Sequence, residues 1–224
     1  MTTVKLYDLV GESSGFRFSP YCWRARLALA HKGIEVESIP WRFTEKEAIA
    51  FSEQEKVPVL VDGERTVTDS WAIAAYLDER YPADSLLGNG ETKALCYFIK
   101  SWDETALMRY LGPVIILNVY NHLHPKDKTY FRNSREAQIG QSLEDFSVDI
   151  ESKLDLFRKA LSPVRRTLRH QPFVAGTTPN FADHIVMGRL QMAQVASPLP
   201  PLEPDDPIVA WRQRMVDRYP ALAH

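Results

Sequence analysis

Lys56-Val57-Pro58-Val59-Leu60-Val61-Asp62-Gly63-Glu64-Arg65-Thr66-Val67-Thr68-Asp69-Ser70 is the stretch that decides the fold. Val57–Val61 and Arg65–Thr68 are two apolar, β-branched runs joined by the turn Asp62-Gly63-Glu64, the pattern of a hairpin. Pro58 stands just before the first run, where a proline is confined to an edge, a first residue or a turn. X-Pro bonds tolerate cis far better than other peptide bonds. A cis Val57-Pro58 bond would turn the Val57 N–H and C=O outward, ready to pair with a peptide-like ligand as an added strand. A plain strand-starting proline accounts for the same residues. Ser70 then opens a helix over Trp71–Tyr81, which Pro82 stops.

Working upstream, Val4–Leu9 reads as a strand and Glu35–Ile39 as another. Between them the pattern predicts a helix over Pro20–Lys32, with Ser19 as its N-cap, Pro20 in the first helical slot and Gly33 closing it. Cys22, Ala25 and Leu29 share one face, opposite Arg24 and Lys32. The order β-α-β-β-β-α is thioredoxin-like, although element order alone is a weak signal.

Downstream the texture turns helical. Glu91–His122 reads as one long helix kinked at Gly112-Pro113. Tyr130–Arg169 supplies more helix, with Phe146, Ile150, Leu154 and Phe157 at three- and four-residue spacing. Asn180 and Asp183 form a capping-box variant. Asp206 caps a last helix over Ile208–Tyr219. The expected organisation is an α+β thioredoxin-like N-terminal domain over residues 1–82, a linker over 83–90, and an all-α helical C-terminal domain over 91–224.

Of the 224 residues, 45% are hydrophobic and 25% charged, with a formal net charge of −2, so no basic field invites nucleic acid. Lys5 and Asp8 interrupt any export-signal core, and Leu111–Val119 is too short and too interrupted to span a bilayer. Two cysteines, Cys22 and Cys96, are too few for a disulfide framework, and the cytoplasm is the expected location. His122 and His124 point apart on a helix end without a ligand-spaced companion, so no metal is expected.

Three motifs carry the chemistry. Ser19-Pro20-Tyr21-Cys22-Trp23-Arg24 opens the first helix, whose unpaired N–H groups and partial positive charge favour an anion. Capping alone accounts for Ser19, but a hydroxyl there can also donate to a bound thiolate. Lys56-Val57-Pro58 offers the backbone edge. Asp69-Ser70 caps the next helix, where Ser70 can hold a carboxylate and Asp69 an ammonium group.

In that order along one compact domain, the motifs resemble the glutathione transferase superfamily, and Phe181-Ala182-Asp183 is similar to its second-domain helix-start motif. The resemblance implies that Ser19 activates the glutathione thiol and that Val57 pairs with the cysteinyl backbone beside a cis Pro58. Asp69 and Ser70 would take the γ-glutamyl head group, and Lys56 and Arg42 would approach the glycyl carboxylate. It also implies a hydrophobic, aromatic electrophile and a homodimer. Phe16, Phe18, Trp102, Met108, Tyr110 and Tyr120 are candidates for the electrophile pocket, and burial in the core is the competing reading of each.

Ser19–Arg24, Asp69-Ser70-Trp71 and Pro200-Pro201-Leu202-Glu203-Pro204-Asp205-Asp206-Pro207 resemble the bacterial glutathione-dependent β-etherases and their fungal etherase-like relatives. The long loop between Leu9 and Ser19 fits that group too. A transferase-shaped binding or regulatory module without turnover is the competing function. A thiol reductase would need cysteine where Ser19 stands, since Cys22 lies one turn inside on the apolar face.

Overall fold

The computed structural model describes residues 3–219, so expectations for Met1, Thr2 and residues 220–224 lie outside the described residues. The N-terminal part is a four-stranded sheet in the order β2-β1-β3-β4. Its strands are β1 (Val4–Leu9), β2 (Val36–Trp41), β3 (Val59–Asp62) and β4 (Arg65–Thr68). β1 runs parallel to β2 and antiparallel to β3, and β3 and β4 form the hairpin. Pro40 is tolerated inside β2 because that strand lies at the sheet edge. Helices α1 (Pro20–His31) and α2 (Ser70–Arg80) pack on the sheet through Ala25, Leu29, Ile73 and Leu77 against Leu6 and Leu60.

One expectation for α1 fails. Arg24 and Lys32 do not form a solvated face: the Arg24 side chain is fully buried and that of Lys32 is 1% exposed. Lys32 pairs with Asp78 at 2.8 Å and donates to the carbonyls of Tyr81, Ala83 and Asp84. The segment after α2 is thereby clamped to the C-terminal end of α1.

The rest is helical: α3 (Gly90–Trp102), α4 (Met108–Asn121), α5 (Pro125–Ile139), the single turn α6 (Leu143–Phe146), α7 (Ile150–Ala160), α8 (Ser162–Leu168), α9 (Phe181–Ala196) and α10 (Pro207–Arg218). Gly140 at φ +73 and Asp149 at φ +54 break the expected Tyr130–Arg169 run into these pieces. The long helix also carries an irregularity, ahead of Gly112-Pro113, that the sequence pattern does not anticipate. A π turn over Asp103–Leu107 joins α3 to α4, and the helix continues through Pro113. One extra residue in that turn rotates everything after it, which matters for the site.

Asp183 earns its motif. It completes the Asn180 capping box and also accepts from the N–H groups of Val174 at 2.7 Å and Ala175 at 3.0 Å and from the Trp211 indole at 3.0 Å. Asp206 caps α10 through the Ile208 N–H at 3.0 Å, as the sequence predicts. The larger apolar core runs across the two halves, joining Trp23 and Leu27 of α1 to Leu111 and Ile115 of α4 and Met187 and Leu190 of α9.

Candidate functional site

Two ladders bring the sequence motifs to one edge of the sheet. Val59 pairs with Thr68 on one side and with Tyr7 on the other. Val57-Pro58 and Asp69-Ser70 thus leave the same end of the hairpin, beside the C-terminal end of β1. From there the chain returns through residues 10–18 to Ser19.

Ser19 sits in extended backbone at φ −78, and its Oγ accepts the Cys22 N–H at 3.2 Å. Acceptance leaves the hydroxyl proton unspent, since Ser19 donates to no described residue. The residue is 6% exposed, and it lines a cavity of about 670 Å³. Cys22, one turn in, is 1% exposed, and burial, reinforced by the Asp8 charge, pushes its thiol well above the ordinary value. That environment makes it a packing residue rather than a nucleophile.

The Val57-Pro58 bond is cis. Among the described residues, no turn or side-chain hydrogen bond occupies the Val57 N–H or C=O. Asp69 adopts φ +71 and caps α2, one carboxylate oxygen accepting from the Trp71 N–H at 2.9 Å and the Ala72 N–H at 3.2 Å. Its other oxygen has no partner among the described residues and the side chain is exposed. Ser70 is the reverse case: it is 1% exposed, and its hydroxyl has no partner among the described residues. A buried hydroxyl left unmatched at a helix start costs about 1–3 kcal/mol unless a ligand group meets it. A carboxylate held there would satisfy the hydroxyl and the Ser70 N–H, which Asp69 leaves open when it takes the Trp71 and Ala72 N–H groups.

Lys56 lines the cavity, is exposed, and forms no ion pair with a described residue. Arg42 is placed differently from the expectation. Its guanidinium donates to the carbonyls of Gly11 and Glu12 at 3.1 Å each and faces Glu45 at 3.5 Å, so it fastens the β1–α1 loop and does not line the cavity.

Of the six candidates for the electrophile pocket, Phe18 and Met108 line the cavity. The other four do not, for two physical reasons. Phe16 is folded back by the turn that pairs the Gly11 N–H with its carbonyl, and its ring stacks on His122 at 4.8 Å. Trp102, Tyr110 and Tyr120 are out of phase. The lining stripe runs from Glu104 in the π turn through Met108, Gly112, Ile115 and Val119 of α4, at three- and four-residue spacing that leaves Trp102, Tyr110 and Tyr120 on other faces. Tyr120 instead packs toward Phe131 and lies under the Arg132 guanidinium at 4.5 Å.

The opposite wall comes from residues the motifs did not single out. Phe43 meets Phe18 at 6.1 Å and Phe131 at 5.6 Å, giving a continuous aromatic surface that ends at Arg135. Asp127 of α5 fixes this wall by accepting from the N–H groups of Phe43 at 3.2 Å and Thr44 at 3.0 Å.

Beneath the mouth of α1 lies a buried charge cluster. Asp103, in the π turn, receives Arg24 on one oxygen and Arg189 on both, the latter at 2.8 Å each. Burial works against the Arg189 charge, but Asp103 outweighs it and raises the pKa. Arg24 also reaches Glu104 at 3.4 Å, and Glu104 in turn pairs with Lys100 at 2.9 Å. Arg189 offered a trace, as the lone charge in the mostly apolar run Ile185–Ala193, which is costly unless a partner meets it, whereas Asp103 sits among Lys100, Glu104 and Arg109 and offered none.

Comparison with known proteins adds lineage to this geometry. The glutathione S-transferase N-terminal domain model matches residues 14–86, and the C-terminal domain model matches residues 94–200. Glutathione S-transferase Z1 of Arabidopsis thaliana is 29% identical over 136 residues, covering 58% of this chain and 62% of that protein. A probable maleylacetoacetate isomerase of Vibrio cholerae is 27% identical over 138 residues, covering 58% and 57%. The chain thus spans less than two thirds of the length of these relatives.

In three dimensions the chain resembles glutathione transferase GSTFuA2 of Phanerochaete chrysosporium, with a TM-score of 0.85, 20% identity, and coverage of 98% of this chain and 99% of that one. A glutathione S-transferase of Ceriporiopsis subvermispora, crystallised with glutathione, gives 0.81 at 21% identity, covering 98% and 97%. At such identities the likeness shows the fold. With both domain models matched in sequence order, the chain belongs to the glutathione S-transferase superfamily.

Proposed function

We propose that this chain is a transferase that ionises the thiol of glutathione and directs it at an aromatic electrophile. The observation that carries the reading is the Ser19 hydroxyl, held by the Cys22 N–H at the mouth of α1 with its own proton free, on the wall of a large cavity. Val57 would pair with the cysteinyl backbone, beside Pro58. Asp69 and the unmatched Ser70 would take the γ-glutamyl ammonium and carboxylate, and Lys56 the glycyl carboxylate. Arg42 acts indirectly, by fastening the loop that carries Phe18 and Ser19.

The energy is of the right size. A free thiol ionises near 8.5, so lowering it by about two units needs roughly 2.7 kcal/mol. One hydrogen bond to a charged sulfur supplies about 1.5–3 kcal/mol and a helix N-terminus about 0.3–1 kcal/mol. Ser19 and α1 together meet the requirement without a separate base. The thiolate then forms a C–S bond as the electrophile's leaving group departs with its electron pair. Holding both reactants side by side supplies the remainder of the rate gain.

The aromatic wall of Phe18, Phe43 and Phe131 supports a planar electrophile, and the etherase-like sequence stretches support an aryl ether among the substrates. Division into a glutathione domain over residues 1–82 and an electrophile domain over 91–224 follows from this reading. So does a homodimer through α3, where Leu95 and Phe98 are 67% and 66% exposed. The two buried, unpaired cysteines support a cytoplasmic location. The test is conjugation of glutathione to a panel of aryl halides, epoxides and β-aryl ethers. Turnover of at least one class is expected, and glutathione binding without turnover of any would favour a non-catalytic module.

A further inference from the structure

The two carboxylates on the cavity wall already have cationic partners. Glu55 is paired with Lys46, and Glu104 with Lys100 and Arg24. Of the described cations, Arg189 is balanced by Asp103 and three others are not. Among the described residues, Arg135, Arg109 and Lys56 line the same cavity without a carboxylate within ion-pair distance. In the proposed reaction Lys56 belongs to glutathione, and Arg109 is exposed. Arg135 is the remaining charge, half-buried and held against two aromatic rings.

Its guanidinium lies 5.0 Å from the Phe131 ring centre and 5.7 Å from that of Phe43, both on the cavity wall. Its one hydrogen bond among the described residues is a 3.5 Å contact with the adjacent Ser134 hydroxyl. Burial pushes its pKa down, with a small opposing effect of Tyr130, because nothing nearby neutralises the charge. Stacking on two rings fixes the plane of the guanidinium while leaving its N–H fork unspent. A half-buried cation held in that way, at the end of an aromatic wall, suits a flat ligand with an anionic substituent at its far end.

We propose that Arg135 is a specificity-determining residue that selects aromatic electrophiles carrying a carboxylate, with the ring along Phe18 and Phe43 and the carboxylate on the Arg135 fork. This rests on the transferase reading for the word electrophile, but the binding claim stands apart from turnover. The carboxylate forms a charge-assisted pair in a partly desolvated site, where such pairs are strongest. The amide carbonyl can accept one hydrogen bond from the guanidinium but leaves its charge unneutralised, so the carboxylate keeps the advantage.

The test compares 4-phenylbutyrate with its amide, binding to the glutathione-saturated protein, measured by calorimetry in the wild type, Arg135→Leu and Arg135→Lys. The wild type should favour the carboxylate by about 10- to 100-fold, the range of one charge-assisted hydrogen bond. Arg135→Leu should abolish that preference, with the carboxylate losing far more affinity than the amide and glutathione binding as before. Arg135→Lys should keep part of it. Equal binding of carboxylate and amide to the wild type, or an undiminished preference in Arg135→Leu, would overturn the proposal. Should Arg135→Leu lose glutathione as well, the wild-type comparison and Arg135→Lys decide. Failure of the electrophile panel with the carboxylate preference intact would count against transferase activity alone.

Discussion

Gly188 of α9 lies so close to Pro20, the first residue of α1, that a side-chain carbon added there would come within 2.7 Å of the Pro20 carbonyl oxygen and 3.3 Å of the Arg24 side chain. The helical half of the molecule thereby touches the turn that presents Ser19, with no room for adjustment at the crossing.

Gly188→Ala should therefore do more than lower stability. Overpacking of this kind costs about 1–3 kcal/mol. The shift it forces falls on the α1 mouth, so the variant should raise the pKa of bound glutathione as well as lower the unfolding midpoint. Urea unfolding and thiolate absorbance check the two effects separately. A destabilised protein with an unchanged thiol pKa would show that the crossing is structural only.

The Asp103 cluster should respond asymmetrically. Asp103→Asn leaves Arg189 buried with no compensating charge and Arg24 with Glu104 alone at 3.4 Å, and breaking a buried pair in this way costs about 3–5 kcal/mol. Replacing the acid and one base together, as Asp103→Leu with Arg189→Met, should cost less than the single change. A double-mutant cycle in denaturant would measure it, and simple additivity would contradict the coupling.

Stability should also fall in mild acid. His184 is fully buried with both ring nitrogens unpartnered, and its ring lies 5.2 Å from that of His31, whose Nδ1 meets the Tyr219 hydroxyl at 2.7 Å. Burial holds both pKa values below the ordinary 6.5, assisted by the His31 charge for His184 and by Lys32 for His31. A base with a lowered folded pKa takes up its proton on unfolding. Stability is thus full above pH 6.5 and declines as pH drops below it, by up to about 1.4 kcal/mol per pH unit for each histidine. His184→Phe should flatten the decline in a pH series of unfolding midpoints. A slope unaltered by that change would assign it elsewhere.

The α3 face gives a solution prediction. Leu95, Tyr97 and Phe98 are more than half exposed, an apolar cluster of the kind that marks association. Sedimentation should find a dimer, and Leu95→Lys with Phe98→Glu should convert it to a folded monomer. A monomeric wild type would contradict this reading of α3.

Much of this was legible in the chain because local chemistry is written locally. Ser19-Pro20 as a helix start, Asp69-Ser70 as another, and Asp62-Gly63 as a hairpin turn depend on neighbours in sequence, and each lies where the pattern places it. What escaped depends on phase and partnership. Tyr110 and Tyr120 lie off the stripe of Met108, Gly112, Ile115 and Val119 on the same helix, and which face of α4 meets the cavity is settled by tertiary packing. Arg24 looked solvated because Asp103, its partner, is 79 residues away. Arg42 and Arg135 are both arginines near the mouth, and only tertiary structure shows that the first is occupied by Gly11 and Glu12 and the second is not.

The most direct test of the central claim is a pH titration of the ultraviolet thiolate absorbance of glutathione bound to the wild type and to Ser19→Ala. The wild type should titrate about two units below free thiol, and the variant should recover at least one of those units while still binding glutathione, since the hydrogen bond removed is worth about 1.5–3 kcal/mol. Identical titration curves for the two proteins would show that the sulfur is ionised by something other than the Ser19 hydroxyl.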